Sequence, residues 1–361
     1  MSFPTITDDA LASLRALMGR PVRRPEPYIE VASRDAIRHW AHGIGDRNPF
    51  WATSRVAPPT ILFAMDRIVS GYVGGLPGIH AMYGGTDFRW RRPIREGERV
   101  VGTSVLLDLE DKASAFARRS IKQTYRTTFA TDDGAVVCEA DSWCFRTERD
   151  TARERQKYGG ALEPHRYSAE ALARIREGYR REQVRGATPR YWEDVRVGDA
   201  VPEVVKGPLT VTSIVAFAQG WGSLYVRAHG LAFDLFDRHP ALGIPNAWGV
   251  PEPPERVHWD DALARAVGVP AAYDYGPERV AWLGHLVTNW MGDAGALARL
   301  SVQVRRHNLI GDTTWCRGVV AGTALVDGRG EVTLDLAAIN QRDETIASGQ
   351  AVVVLPRRAS A

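Results

Sequence analysis

The sequence predicts an α+β architecture built twice from one plan. Three observations carry this prediction. The same order of features recurs in both halves, a polar seam separates them, and each half closes in long alternating segments broken by turn residues.

The repeat comes first, because a recurring unit decides how everything else is read. The first half contains SRDAIRHWAHGIGD (Ser33–Asp46) and the second TVTSIVAFAQGWGS (Thr210–Ser223). A shift of 210 − 33 = 177 puts Ser33 on Thr210, Ala41 on Ala218, Gly45 on Gly222 and Asp46 on Ser223. Further on, RRPIREGE (Arg91–Glu98) falls on RRHNLIGD (Arg305–Asp312) at a shift of 305 − 91 = 214. The second copy therefore carries 214 − 177 = 37 additional residues between the two blocks. Two copies with altered spacing point to duplication followed by divergence.

The seam is 147–166, charged and poor in apolar residues. It runs into a helical pattern that Ser168 can cap, with Ala169, Leu172, Ile175 and Tyr179 on one face and Gly186–Pro189 ending it. This divides the chain into an N-terminal unit over 1–160, a linker helix within 161–188 and a C-terminal unit over 189–361. The strands follow from alternation. Arg118–Ala130 and Ala135–Arg146 flank the hairpin signal Thr131-Asp-Asp-Gly134. Thr313–Leu325, Glu331–Asn340 and Ile346–Leu355 are parted by turns at 327–330 and 341–344. Each half thus reads as an apolar helical region followed by an antiparallel meander. There is no βαβ alternation, G-x-G-x-x-G or Walker motif, so nucleotide-dependent redox chemistry and ATP hydrolysis are not expected.

Composition narrows the function further. Hydrophobic residues make up 44% and charged residues 25%, the balance of an ordinary globular protein. A net charge of +3 over 361 residues gives no footprint for nucleic acid. Only four of the 46 basic residues are lysines (Lys112, Lys122, Lys157, Lys206), so arginine clusters carry little weight here. No apolar run reaches membrane-spanning length. The opening MSFPTITDDA lacks a basic n-region, so no signal peptide is expected. Three cysteines (Cys138, Cys144, Cys316) have no metal-ligand spacing, and an odd number argues against a disulfide framework. A reduced, cytoplasmic protein is the expectation.

Within the first repeat, IGDRNPFW (Ile44–Trp51), followed by APPT (Ala57–Thr60), resembles the G-D-x-N-P-[LIV]-H signature of MaoC-like (R)-specific enoyl-CoA hydratases and 3-hydroxyacyl dehydratases. In the second half, RYWEDVRVGD (Arg190–Asp199) with KGPLTVTSIVAFA resembles the opening of a MaoC-like domain. HWDDALARAVGVPAAYDYG (His258–Gly276) resembles the stretch that begins at the family's catalytic His. The resemblance implies a double hotdog, two antiparallel sheets each wrapping a central helix. Residues 1–160 would be a FAS1-like or MaoC-like dehydratase N-terminal hotdog, and 189–361 a C-terminal MaoC-like hotdog. It also implies a hydro-lyase of lipid metabolism acting on an acyl-CoA or acyl-carrier-protein thioester, with no metal or other cofactor. A homodimer, or an assembly with another hotdog chain, would be the working form. Family members hold water with an Asp and a His five residues later, while a backbone N–H supports the thioester oxygen. The chemistry needs those groups: a base to activate water toward C3, an acid for C2, and donors for an enolate-like oxygen.

The set is incomplete in both halves. Asp46 and Asn48 match, but Trp51 stands where the family has His, and Pro58-Pro59 replaces the donor pair, proline having no N–H. His258 and Asp260 match the family's H-x-D, and Gly276 aligns with the oxyanion glycine, yet Ser223 sits in place of the Asp. The extra stretch Leu224–Glu255 then intervenes before His258. Three readings stand open. The second half works, with His258 and Gly276 and a carboxylate from Asp234, Asp237 or Asp260. Alternatively Asp46 is the base of a first-half site with a partner other than Trp51. Or neither half is competent, and the chain is a non-catalytic acyl-thioester-binding subunit. A hotdog thioesterase is a further alternative, with a carboxylate sending water to the thioester carbonyl.

Each residue also has a plainer role. Asp46 can brace its turn, and His258 with its acids can open a helix. Tyr275 is a candidate to orient the thioester or a core tyrosine. His229 and His239 with Asp234 and Asp237 lack a compact metal motif. Met65, Trp282, Trp290 and Met291 suit a core or tunnel wall, and eleven tryptophans suit a bulky acyl group. Arg92 and Arg306 are candidates for CoA phosphates. Neighbours on a strand face opposite ways, so Arg91 and Arg305 would then point elsewhere.

Overall fold

The computed structural model describes residues 5–112, 119–148 and 165–358. Apolar residues at every second position dictate strands, and the burial follows the same period. In Arg329–Asn340 (β10), Val332, Leu334, Leu336 and Ala338 are buried while Thr333, Asp335 and Ala337 face the other way. The first half has His80–Trp90 (β1), Val100–Lys112 (β2), Ser120–Thr131 (β3) and Val136–Thr147 (β4), and Ala200–Lys206 (β5) opens the second. Ala296–Val304 (β8), Thr314–Val326 (β9) and Thr345–Leu355 (β11) complete the set, and Ile244–Pro245 (β6) pairs with Pro251–Glu252 (β7) in a separate two-stranded ribbon. The turn at 131–134 and those at 327–330 and 341–344 fall where the sequence expects them.

The two antiparallel sheets are present, and they join edge to edge. Among the described residues the order is β2-β3-β4-β1-β8-β11-β10-β9-β5, nine strands in one sheet. The seam is the β1–β8 pair, whose register carries the mark of the repeat. Asp87 pairs with Ser301, its own equivalent at the shift of 214, while Gly85 pairs with Gln303 and Arg89 with Arg299. A pseudo-twofold axis therefore passes between Asp87 and Ser301.

The helical regions obey the same symmetry. Arg34–Gly43 (α2) and Val211–Trp221 (α6) are capped by Ser33 and Thr210, whose hydroxyls accept Ala36 N–H and Ser213 N–H, each at 3.2 Å. Both leave through a left-handed glycine, Gly45 at φ +65° and Gly222 at φ +87°. The two helices cross at Gly43 and Gly220. A Cβ on Gly43 would meet the backbone of Ala216, Phe217 and Gly220, and one on Gly220 that of His39 and Trp40. Shifting 39, 40 and 43 by 177 gives 216, 217 and 220, so the contact is self-complementary.

One long helix, Gly276–Met291 (α9), fills the interior. Every residue of it after Gly276 is buried, and it is packed against β1, β5, β8, β9, β10 and β11. Its first-half counterpart is reduced to a 3-10 turn, Pro59–Ile61, and Leu62–Met65 (α4). One apolar cluster therefore spans the molecule, joining Trp40, Ile61 and Phe88 to Leu283, Leu286, Leu334 and Ala351. Each such side chain contributes about 1.5–3 kcal/mol. Met65, Trp282, Trp290 and Met291 belong to it, and the three cysteines are buried and free.

The other helices are Asp8–Arg15 (α1), Phe50–Thr53 (α3), Ala169–Arg180 (α5), Gly230–Arg238 (α7) and Asp261–Ala266 (α8). Ser168 caps α5, accepting Ala171 N–H at 3.2 Å. Residues 149–164, and with them the 160/161 boundary and most of the polar seam, lie outside the described residues. Among the described residues no helix is long and apolar enough to cross a membrane.

Gly220→Ala is expected to cost about 1–3 kcal/mol, because a Cβ would stand 2.6 Å from the His39 carbonyl oxygen. Gly322→Ala, where the space is open, should stay within about 0.5 kcal/mol. Urea denaturation checks both.

Candidate functional site

The segment leading into α9 is pinned by the second copy of the RRPIREGE block. Asp274 N–H donates to Asn308 O at 3.0 Å and Ile310 N–H to Ala272 O at 2.8 Å. This fixes Tyr275 at the helix start and presents Gly276 as the first helical residue. The helix itself leaves the Gly276 N–H unpaired, and the dipole there favours negative charge. Tyr83, from β1 of the first half, lies across Gly276, and a Cβ there would come within 2.3 Å of its ring.

His258 ends the 3-10 turn Pro254–His258 and stacks on Tyr275, ring centroids 3.7 Å apart. Its Nδ1 is 2.7 Å from the Tyr273 carbonyl oxygen. A carbonyl only accepts, so Nδ1 holds the proton and Nε2 keeps a lone pair. Burial lowers its pKa to about 4 against the pull of that carbonyl, with Arg279 lowering it further. The imidazole is therefore neutral at pH 7. His258 and Gly276 are half-buried, while Glu255, Val257, Asp274 and Tyr275 around them are buried.

The carboxylate nearest this set is Glu255. Its Oε1 accepts Leu224 N–H at 2.9 Å and its Oε2 accepts Tyr225 N–H. The Tyr275 hydroxyl faces Glu255 and Ser223 without a hydrogen bond of good geometry to either. Burial raises the Glu255 carboxyl pKa, opposed by the two loop N–H groups and Arg67. Arg67, a first-half residue, donates to the carbonyls of Leu224 and Glu26 and so holds this loop. Further along, Asp274 is wholly buried, 3.1 Å from both Arg279 Nε and Asn308 Nδ2. Burial raises its pKa, and burial together with Asp274 raises that of Glu278.

Asp46 lies in a second cluster. Its Oδ1 accepts Asn48 N–H at 2.9 Å, and its Oδ2 accepts Trp51 Nε1–H at 2.7 Å. Asn48 in turn accepts Phe50 N–H at 3.0 Å. His285 of α9 brings Nε2 within 3.2 Å of Asp46 and 3.1 Å of Glu182. Its Nδ1 is 2.8 Å from Lys206 Nζ, which also donates to Ile44 O and Gly45 O. An ammonium has three donors, and all three are used. Lys206 donating to Nδ1 leaves the His285 proton on Nε2, where both carboxylates and the side-chain amide of Asn289, 2.9 Å away, converge. Although burial pushes Glu182 up, His285 and Lys206 hold it down to about 2. The side chains of His285, Asp46 and Glu182 are 0%, 1% and 5% exposed, so this cluster is closed. It sits nine residues along α9 from Gly276, about 13 Å at helical rise.

The structure thus brings His258, Tyr275 and Gly276 together, and it places Asp46 and Asn48 elsewhere. Asp260 caps α8, accepting Leu263 N–H at 2.9 Å, and pairs with Arg256 at 3.0 Å. Asp234 and Asp237 are exposed on α7, which His229 and His239 flank. Neither Asp260 nor these two supplies the carboxylate facing Tyr275; Glu255, the last residue of the extra stretch, does. Arg92 pairs with Glu98 at 2.9 Å and Arg306 with Glu344 at 3.0 Å, both partly or well exposed. Sequence reasoning missed Glu255, Lys206, His285 and Glu182. Two signals were available: a His and an Asn at i, i+4 inside the apolar α9, and a lone lysine in an arginine-rich segment.

Residues 16–140 match the family described as FAS1-like, dehydratase domain region. A UPF0336 protein of Streptomyces avermitilis is 30% identical over 114 residues, covering 27% of this chain and 75% of that protein. A solved MaoC-like dehydratase superposes with a TM-score of 0.63 at 17% identity, covering 96% of this chain and 100% of that one. The MaoC-like dehydratase of Phytophthora capsici gives 0.54 at 14% identity, covering 94% and 97%. At these identities the structural likeness shows the shared fold.

Lys206→Met strands two buried carboxylates and is expected to destabilise the protein by about 3–5 kcal/mol. Trp51→Phe removes one donor to Asp46 and should cost about 1–3 kcal/mol. Equilibrium urea unfolding at pH 7 measures both.

Proposed function

We propose, from the premise that this chain belongs to the MaoC-like dehydratase family, that it hydrates a trans-2-enoyl thioester or dehydrates an (R)-3-hydroxyacyl thioester. The observation that carries this reading is a neutral imidazole beside a helix N-terminus. His258 keeps its Nε2 lone pair while Gly276 offers an N–H that its own helix leaves free, and both are half-buried where Glu255, Val257, Asp274 and Tyr275 are buried.

In the hydration direction His258 Nε2 takes a proton from water as its oxygen bonds to C3. The C2=C3 electrons move toward the thioester oxygen, and the Gly276 N–H with the α9 dipole stabilises the charge that develops there. C2 then takes a proton. The Tyr275 ring fixes the plane of His258, and Tyr83 walls the site from the other half. Asp46, each of its oxygens already holding an N–H donor in a closed cluster, serves as a brace between the halves. Coenzyme A is the favoured carrier, with acyl-carrier protein the alternative, and the chemistry asks for no metal or redox group. Arg92 and Arg306 remain candidates for the CoA phosphates, each having to leave a surface carboxylate to serve.

His258→Ala is expected to lower hydration of a trans-2-enoyl-CoA by about 10²–10⁴-fold while circular dichroism stays unchanged. The base works only when neutral, so kcat/KM of the wild type should hold as pH falls below 6.5 and drop through about 4. Thiol release from saturated acyl-CoA substrates, with no hydration, would identify a thioesterase instead.

A further inference from the structure

The hydration reading leaves one role unfilled. The position where the first repeat has Asp46 holds Ser223 in the second, and a serine hydroxyl is too weak an acid to protonate C2. The internal repeat gives a ruler for finding the substitute. In the first half the Asp46 carboxylate sits on the backbone N–H of Asn48. At the shift of 177 Asn48 corresponds to Tyr225, and the carboxylate seated on the Tyr225 N–H is that of Glu255. A second N–H, from Leu224, fixes its other oxygen.

We propose that Glu255 is the catalytic carboxylate of this site, delivered to the place of the missing Asp by the end of the extra stretch Leu224–Glu255. Resting on the hydration reading, it makes Glu255 the acid that works opposite His258. Each carboxyl oxygen has spent one lone pair on a loop N–H and keeps another. Tyr275 joins the two groups, its ring on His258 and its hydroxyl facing Glu255 and Ser223. The cycle balances. Water gives a proton to His258 Nε2 and its oxygen to C3. Glu255, protonated, gives its proton to C2 of the enolate, and the imidazolium proton then returns to the Glu255 carboxylate. The net change is one water added, with both residues restored. Glu255 is 5% exposed, and its burial raises the carboxyl pKa, which favours the protonated form this step needs.

The extra stretch thereby acquires a purpose. Its two ends meet at the site, Leu224 and Tyr225 on one side and Glu255 on the other, so closing the loop and placing the acid are one event.

Steady-state hydration of a trans-2-enoyl-CoA panel by wild type, E255Q, the double variant E255Q/S223D and H258A tests this. E255Q is expected to lose about 10²-fold or more in kcat with KM within about threefold, and to lose the basic limb of its pH profile. E255Q/S223D returns a carboxylate to the repeat-equivalent position, where aspartate tolerates the left-handed backbone of Ser223 (φ 56°), and should recover about tenfold or more. E255Q as fast as wild type while H258A is dead would overturn the role of Glu255 and leave the hydration reading standing. A slow E255Q with a lowered melting temperature and no recovery in the double variant would also overturn it, leaving Glu255 as a loop brace. A wild type inert on every enoyl thioester would overturn both.

Discussion

A helix that is buried on every side must have every apolar side chain packed and every polar one partnered, and α9 is such a helix. Neither half-sheet alone wraps it. Its cover comes from strands of the second half, from β1 of the first, and from the 3-10 turn that, with the short α4, is the first half's counterpart of this central helix. The β1–β8 pairing makes that cover continuous by turning two half-sheets into one. The same helix places the chemistry. Its first residue, half-buried beneath Tyr83, carries an N–H that the helix leaves unpaired, and its middle carries His285 into the ionic cluster.

The duplicated loops have divided the labour along α9. In the first, Trp51 stands where the resembling signature has histidine, and its indole N–H donates to the Asp46 carboxylate. The Lys206 ammonium then offsets the buried negative charge, with His285 lying between it and the carboxylates. In the second, the imidazole stays and the aspartate goes, and the loop is held by Glu255 from one side and Arg67 of the other half from behind. One loop has become an internal fastening between halves. The other keeps a half-buried imidazole.

The strands and their turns were legible because period-two burial is a local property. The self-complementary crossing of α2 and α6 was legible too, since Gly43 and Gly220 are the same position of one repeat. The Asp46 surroundings were only half legible. Asn48 and Trp51 are close in sequence, but His285, Lys206 and Glu182 arrive from remote elements, and no spacing rule links them. Asp260 looked catalytic beside His258, yet Leu263 N–H and Arg256 claim it as a helix cap.

The sequence by itself determined the repeat, the α+β plan, the hydratase-like loops and the fact that each loop lacks a different member, because these depend on residue identity and short spacings. Only the tertiary structure decided which loop's carboxylate and imidazole are sealed together and which loop leaves its imidazole half-buried. It also decided that a glutamate three residues before His258 holds the amide that an aspartate holds in the other copy. Burial and charge pairing are sums over groups distant in the chain, so a buried carboxylate reveals its role only when its donors have been brought to it.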